Sequence, residues 1–220
     1  AIAYKVYTTL VDLVTNTITK VTLPLFAKLQ SQKEALASTL QTITQYACYA
    51  SFLIFTAVIL LAPWVIPAFF GDKWLPSIPS MQLLAGAGMI STIFSILDSA
   101  IIATGHPLVS FRVHFINAIG NVVFFFLVVQ YGIHAIAATF VIRAILFLPI
   151  IFHFAKPHVP IEFKRYFFSL TKPLLATLGA VATFGIIYFL LHEYQILFWL
   201  IAGLSSGTAY LWITHMLSPE

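Results

Sequence analysis

Seven long apolar segments divide the chain, separated by short polar or turn-rich breaks. They run approximately over Ala1–Leu29, Ile43–Phe70, Met81–Thr104, Pro107–Tyr131, Ile133–Ala155, Tyr166–Leu191 and Tyr194–Met216. Each approaches or exceeds the roughly 20 residues a helix needs to cross a hydrocarbon core of about 30 Å. None shows the two-residue alternation of a barrel strand. The pattern predicts an all-α, polytopic transmembrane bundle of about seven spans, since a helix satisfies its backbone polar groups internally in lipid. The polar stretch Gln30–Thr42 predicts a short surface helix. Lys156–Arg165, KPHVPIEFKR, carries two prolines and predicts a linker. The expected organisation is a five-span bundle over 1–155, a cytoplasmic linker over 156–165 and a final two-span hairpin over 166–220.

The first segment departs from this uniform apolarity. Lys5, Thr9, Asp12, Asn16 and Lys20 step by four, three, four and four residues. At 3.6 residues per turn they share one helix face, with Val6, Leu10, Val14 and Val21 on the other side. Lys5 to Lys20 spans roughly 22 Å of helix rise. A polar stripe of that length is expected to face a partner helix or a water-filled cavity. A helix lying flat on a membrane surface is the weaker reading, because six further apolar segments follow.

Composition agrees with a membrane protein. The chain is 60% hydrophobic and 8% charged, against about 25% charged in soluble domains, and its mean hydropathy is +0.98. The net charge of +4 includes no basic patch suited to nucleic acid. One cysteine, Cys48, precludes an intrachain disulfide, and the scattered histidines have no metal-ligand spacing, so no metal or cofactor is expected. A first residue other than Met, opening a polar-striped helix with no signal peptide, leads us to expect a missing N-terminal bundle or partner half. Lys28, Lys33, Lys156, Lys164, Arg165 and Lys172 fall on one side of the predicted topology and Lys73 on the other. That asymmetry places the first side, and the C-terminus, in the cytoplasm.

Three intramembrane charges remain. Asp98 lies seven residues before Gly105 and Arg112 seven after it, so the third and fourth segments carry both at one depth. An ion pair that fixes this hairpin is the preferred reading over a transport role. Arg143 sits midway along the fifth segment, where a lone arginine costs about 2.5–3.5 kcal/mol on insertion scales. It requires a partner on another helix, a wet cavity or an anionic ligand. His114, Asn117 and Asn121 form a second polar stripe, read as interhelical hydrogen bonds. No paired carboxylates, nucleophile triad or phosphate loop can be placed, so no enzyme is expected.

Three short motifs carry a family resemblance. Thr22-Leu23-Pro24-Leu25-Phe26-Ala27-Lys28-Leu29-Gln30, Phe70-Gly71-Asp72-Lys73-Trp74 and Ala103-Thr104-Gly105-His106-Pro107 occur in order, one span apart. They resemble signatures of the bacterial polysaccharide and O-antigen flippases of the multidrug/oligosaccharidyl-lipid/polysaccharide exporter superfamily. The resemblance implies the C-terminal half of a fourteen-span exporter in the bacterial inner membrane. It implies movement of undecaprenyl-diphosphate-linked oligosaccharide to the outer leaflet by alternating access, for surface polysaccharide such as lipopolysaccharide O-antigen or exopolysaccharide. Partners would be the lipid-linked oligosaccharide, the bilayer, and a polysaccharide polymerase with its export machinery. In that setting Lys5, Thr9, Asp12, Asn16, Lys20 and Arg143 would line the substrate cavity. His106 departs from the basic Arg or Lys common in the hairpin motif. The rival readings are a cation-coupled multidrug-type antiporter of the same fold, which favours acids on the cavity face, and a membrane-embedded enzyme or scaffold of polysaccharide assembly.

Overall fold

A computed structural model describes residues 2–159, 161–191 and 195–217. It contains seven helices and, among the described residues, no strand: α1 (Ile2–Leu29), α2 (Lys33–Phe70), α3 (Ile78–Ala103), α4 (Pro107–Val128), α5 (Ile133–Ala155), α6 (Phe163–Leu191) and α7 (Gln195–Leu217). The first six contain stretches long and apolar enough to cross a membrane, so the chain is an all-α polytopic bundle, as its hydropathy pattern predicts. The seventh expected span begins at Tyr194, outside the described residues, and α7 covers the remainder.

The predicted surface helix is not separate. α2 runs unbroken for 38 residues, about 57 Å of rise, nearly twice the hydrocarbon thickness of about 30 Å. Nothing between Lys33 and Ile43 breaks a helix, and one buried seam continues through it. Leu36, Leu40, Thr44 and Cys48 repeat every four residues and are all buried.

α3 is the central element. It packs against α1, α2, α4 and α5, and Ile96, Leu97, Ala100 and Ile101 are fully buried in the main core. α4 lies outermost, with only Ser110 and Val113 buried. Its Phe111, Phe115, Ile119, Val122 and Phe126 form an exposed apolar surface of the kind that lipid covers. α6 and α7 pack on each other and on α2. The Tyr166 hydroxyl meets Thr44 at 3.0 Å, and the Tyr210 hydroxyl donates to the Tyr49 carbonyl.

Proline and glycine account for two details of this packing. Pro63 lies within α2 and has no N–H with which to bond the carbonyl of Ile59, four residues back. The Gln82 amide on α3 fills that vacancy, donating to the Ile59 carbonyl at 2.9 Å. Gly88 lets α3 approach α2 closely: a Cβ there would lie 2.4 Å from the Phe55 ring. Phe55 is 1% exposed, and the apolar void beside it is too narrow to hold a water molecule. Gly88→Leu is therefore expected to lower the yield of folded, detergent-stable protein several-fold, through overpacking of about 1–3 kcal/mol or more. Size-exclusion profiles of the solubilised variant check this, and an unchanged profile would show that α2 and α3 separate freely.

Two motif loops depend on backbone geometry. Gly105 follows α3 at φ +84°, where His106 N–H bonds the Ile101 carbonyl and Gly105 N–H the Ile102 carbonyl. That is a Schellman ending, which requires left-handed backbone at the glycine. Pro107 then opens α4 with its φ already helical. Gly71, at φ +85°, likewise ends α2 before the 3-10 turn Asp72–Ser77.

Candidate functional site in the membrane core

α1, α3, α4 and α5 border an open-sided intramembrane cavity of about 220 Å³, with Ile90, Phe94 and Phe147 among its apolar lining. Tyr7 and Thr15 line it from α1, Ser91 and Ser95 from α3, His114 and Asn117 from α4, and Phe140 and Arg143 from α5. Arg143 lies ten residues from one end of α5 and twelve from the other, roughly 15 and 18 Å along the axis. Its Nη1 donates to Asn117 Oδ1, and the guanidinium sits 5.4 Å from the Phe140 ring centroid. Tyr7 lines the cavity together with Ser91 and joins Tyr4 and Phe140 in an aromatic cluster with centroids 6.0–6.2 Å apart. A guanidinium has five N–H donors. Among the described residues no carboxylate pairs with it, so Arg143 presents a cation with donors to spare to the cavity.

The expected Asp98–Arg112 ion pair does not form. Ser110 Oγ donates to Asp98 Oδ1 at 2.5 Å, and His114 Nε2 lies 3.1 Å from Asp98 Oδ2. Equal depth is not equal direction. Ser110 and His114 are one turn apart on α4, whereas Arg112 lies about 160–200° around the axis from both. Arg112 is exposed on the outer side of α4. The second polar stripe is thus divided in function: His114 holds Asp98, Asn117 holds Arg143, and Asn121 lines a neighbouring cleft.

That cleft, about 510 Å³, opens between the same helices on the other side of Phe140. Val122, Phe125, Phe126, Ile136 and Ala137 give it apolar walls, with Ser80, Tyr4 and Asn121 at its edges. A chamber of mixed lining that holds the Arg143 guanidinium and an apolar trough therefore meet at Phe140, which lines both.

The α1 stripe lies elsewhere. Lys5, Thr9, Asp12, Asn16 and Lys20 are all exposed, on a face of α1 that neither α2 nor α3 covers. The packed face instead uses Val14, Thr22 and Phe26. Val21, expected on the apolar side, is 62% exposed. The structure brings Arg143 together with Tyr7, Thr15, Ser91 and Ser95, which the charge pattern did not single out. Their signal was present but quiet. Tyr7, Val11 and Thr15 step by four on α1 beside the charged stripe, and Ser91 and Ser95 do so on α3.

At the basic side of the bundle, His106 in the α3–α4 turn lies against His158, ring centroids 4.0 Å apart. Desolvation, and then the neighbouring His106, hold the His158 imidazole below its usual value. Among the described residues no three His, Cys, Asp or Glu side chains converge as metal ligands.

Comparisons with known proteins agree with the motifs. Residues 1–79 match a family model described as polysaccharide biosynthesis protein. The chain is 25% identical over 205 residues to an uncharacterized membrane protein in the cps region of Klebsiella pneumoniae, covering 92% of this chain and 42% of that protein. It is 26% identical over 110 residues to the teichuronic acid biosynthesis protein TuaB of Bacillus subtilis, covering 50% of this chain and 23% of that one. Over 95 residues it is 27% identical to the lipopolysaccharide biosynthesis protein WzxC of Escherichia coli, covering 43% of this chain and 19% of that one. No solved structure matches the chain significantly. The chain spans less than half the length of each of these relatives.

Proposed function

We propose that this chain, a multi-pass membrane protein similar to proteins of polysaccharide biosynthesis, forms the C-terminal half of a flippase for undecaprenyl-diphosphate-linked oligosaccharide. Its place is the bacterial inner membrane, with the basic loops and the C-terminus in the cytoplasm. Arg143 carries the reading. An unpaired guanidinium in mid-membrane is costly unless it meets an anion or water, and its planar donors match phosphate oxygens. The adjoining apolar trough suits a prenyl chain. The exposed α1 stripe supplies a hydrophilic wall along which a headgroup passes between leaflets, with Lys5 and Lys20 near its two ends.

Disabling the gene in its host tests this. Lipid-linked oligosaccharide is expected to accumulate on the cytoplasmic leaflet while surface polysaccharide disappears. Loss of surface polysaccharide without that accumulation would point to an enzyme or scaffold of assembly instead.

A further inference from the structure

We infer that Asp98, Ser110 and His114 form a proton-binding site that sets the charge of the cavity beside Arg143. Asp98 is an intramembrane carboxylate whose side chain is 16% exposed, against 53% for His114. Ser110 and His114 are its hydrogen-bond partners at 2.5 and 3.1 Å. Its expected neutralising partner, Arg112, points away. His114 touches Asp98 and also lines the cavity, so it connects a sheltered carboxylate to the chamber that holds Arg143. Imidazole changes charge between about pH 5 and 8, and Asp–His arrangements inside membranes mark proton relays.

The surrounding titratable groups are few. α4 contributes His114, with Ser110 as a neutral donor, and α5 contributes Arg143 in the same cavity. α1 contributes Tyr7 to the same cavity. α2 contributes the buried Cys48 thiol to the core that holds Leu97. With neutral imidazole and ionised Asp98, the charges of Asp98 and Arg143 sum to zero. One proton from water, bound by the Asp98–His114 pair, leaves the cavity at +1. The site then attracts an anion more strongly, and by linkage an anion draws in the proton. This second consequence rests on the flippase reading. The proton site does not.

Two measurements on the full-length, purified gene product separate them. Infrared difference spectra of ligand-free protein, titrated between about pH 5 and 8, are expected to show carboxyl and imidazole bands changing together. Asp98→Asn should remove the carboxyl band and displace the imidazole transition, and His114→Gln should remove the imidazole band. An absent transition, or one unchanged in both variants, overturns the proton site. If Asp98→Asn does not assemble, wild-type protein with isotopically labelled histidine decides alone. Calorimetry with an undecaprenyl-diphosphate sugar, in buffers of different ionisation enthalpy, then reads proton uptake on binding. Uptake with affinity falling at least about fivefold from acid to alkaline pH is expected. Binding without uptake overturns the linkage, whereas no binding overturns the substrate reading and leaves the infrared result standing.

Discussion

Arg143→Gln in the full-length gene product is expected to lower polysaccharide export by about 10–100-fold while membrane protein levels stay near wild type. A hydrogen bond to a charged group contributes about 1.5–3 kcal/mol, and 1.4 kcal/mol is a factor of ten. Glutamine can still meet Asn117 and occupies a similar volume, so the helix contact survives. Removing the charge also removes an insertion cost of about 2.5–3.5 kcal/mol, so the protein has no reason to be lost. Arg143→Lys keeps the charge without the planar fork and should fall between the two. Export assays paired with immunoblots of the membrane fraction provide the check. Full export in Arg143→Gln, or export and protein falling together, would reduce Arg143 to a structural tie between α4 and α5.

The second large effect concerns α1. Replacing both Lys5 and Lys20 with Gln should reduce export to below about one tenth, with each single change milder, because long-range attraction of an anion scales with the charge along its path. Both lysines are exposed on the open face of the helix, so neither substitution disturbs the contacts with α2 and α3. If the lysines instead pair with acids on another part of the protein, the double variant loses protein rather than transport. Cysteines at Thr9 and Asn16 distinguish the surroundings directly. They should react with water-soluble thiol reagents and be protected by lipid-linked oligosaccharide. The native Cys48 is fully buried and does not interfere.

Most of the fold was legible in the sequence, because in lipid the length and apolarity of a segment nearly determine that it is a helix. The break after Leu29, the glycine turns at Gly71 and Gly105, and the mid-membrane position of Arg143 could all be read from the chain. What failed was direction around an axis. The Asp98–Arg112 pair was inferred from depth alone, and depth leaves the azimuth of Arg112 open. Ser110 and His114 have the right azimuth, but serine and histidine stand out less than arginine. The surface helix before α2 was separated on polarity, although its buried leucines continue the seam of the span. Contacts between distant segments, such as Gly88 against Phe55 or Gln82 on the carbonyl freed by Pro63, have no local signal at all. The cavity itself arises in this way: Tyr7, Ser91 and Asn117 are ordinary residues until α1, α3 and α4 bring them around one arginine.

A flippase must carry the lipid-linked headgroup from one leaflet to the other. Full-length gene product in proteoliposomes, loaded with undecaprenyl-diphosphate oligosaccharide in one leaflet, gives the most direct test. A membrane-impermeant sugar-modifying reagent reports which leaflet holds the headgroup. Exposure of the initially hidden pool within minutes, faster than in protein-free vesicles and slowed in the Arg143→Gln protein, is the result predicted. Wild-type vesicles that protect the headgroup as long as protein-free vesicles do would contradict it.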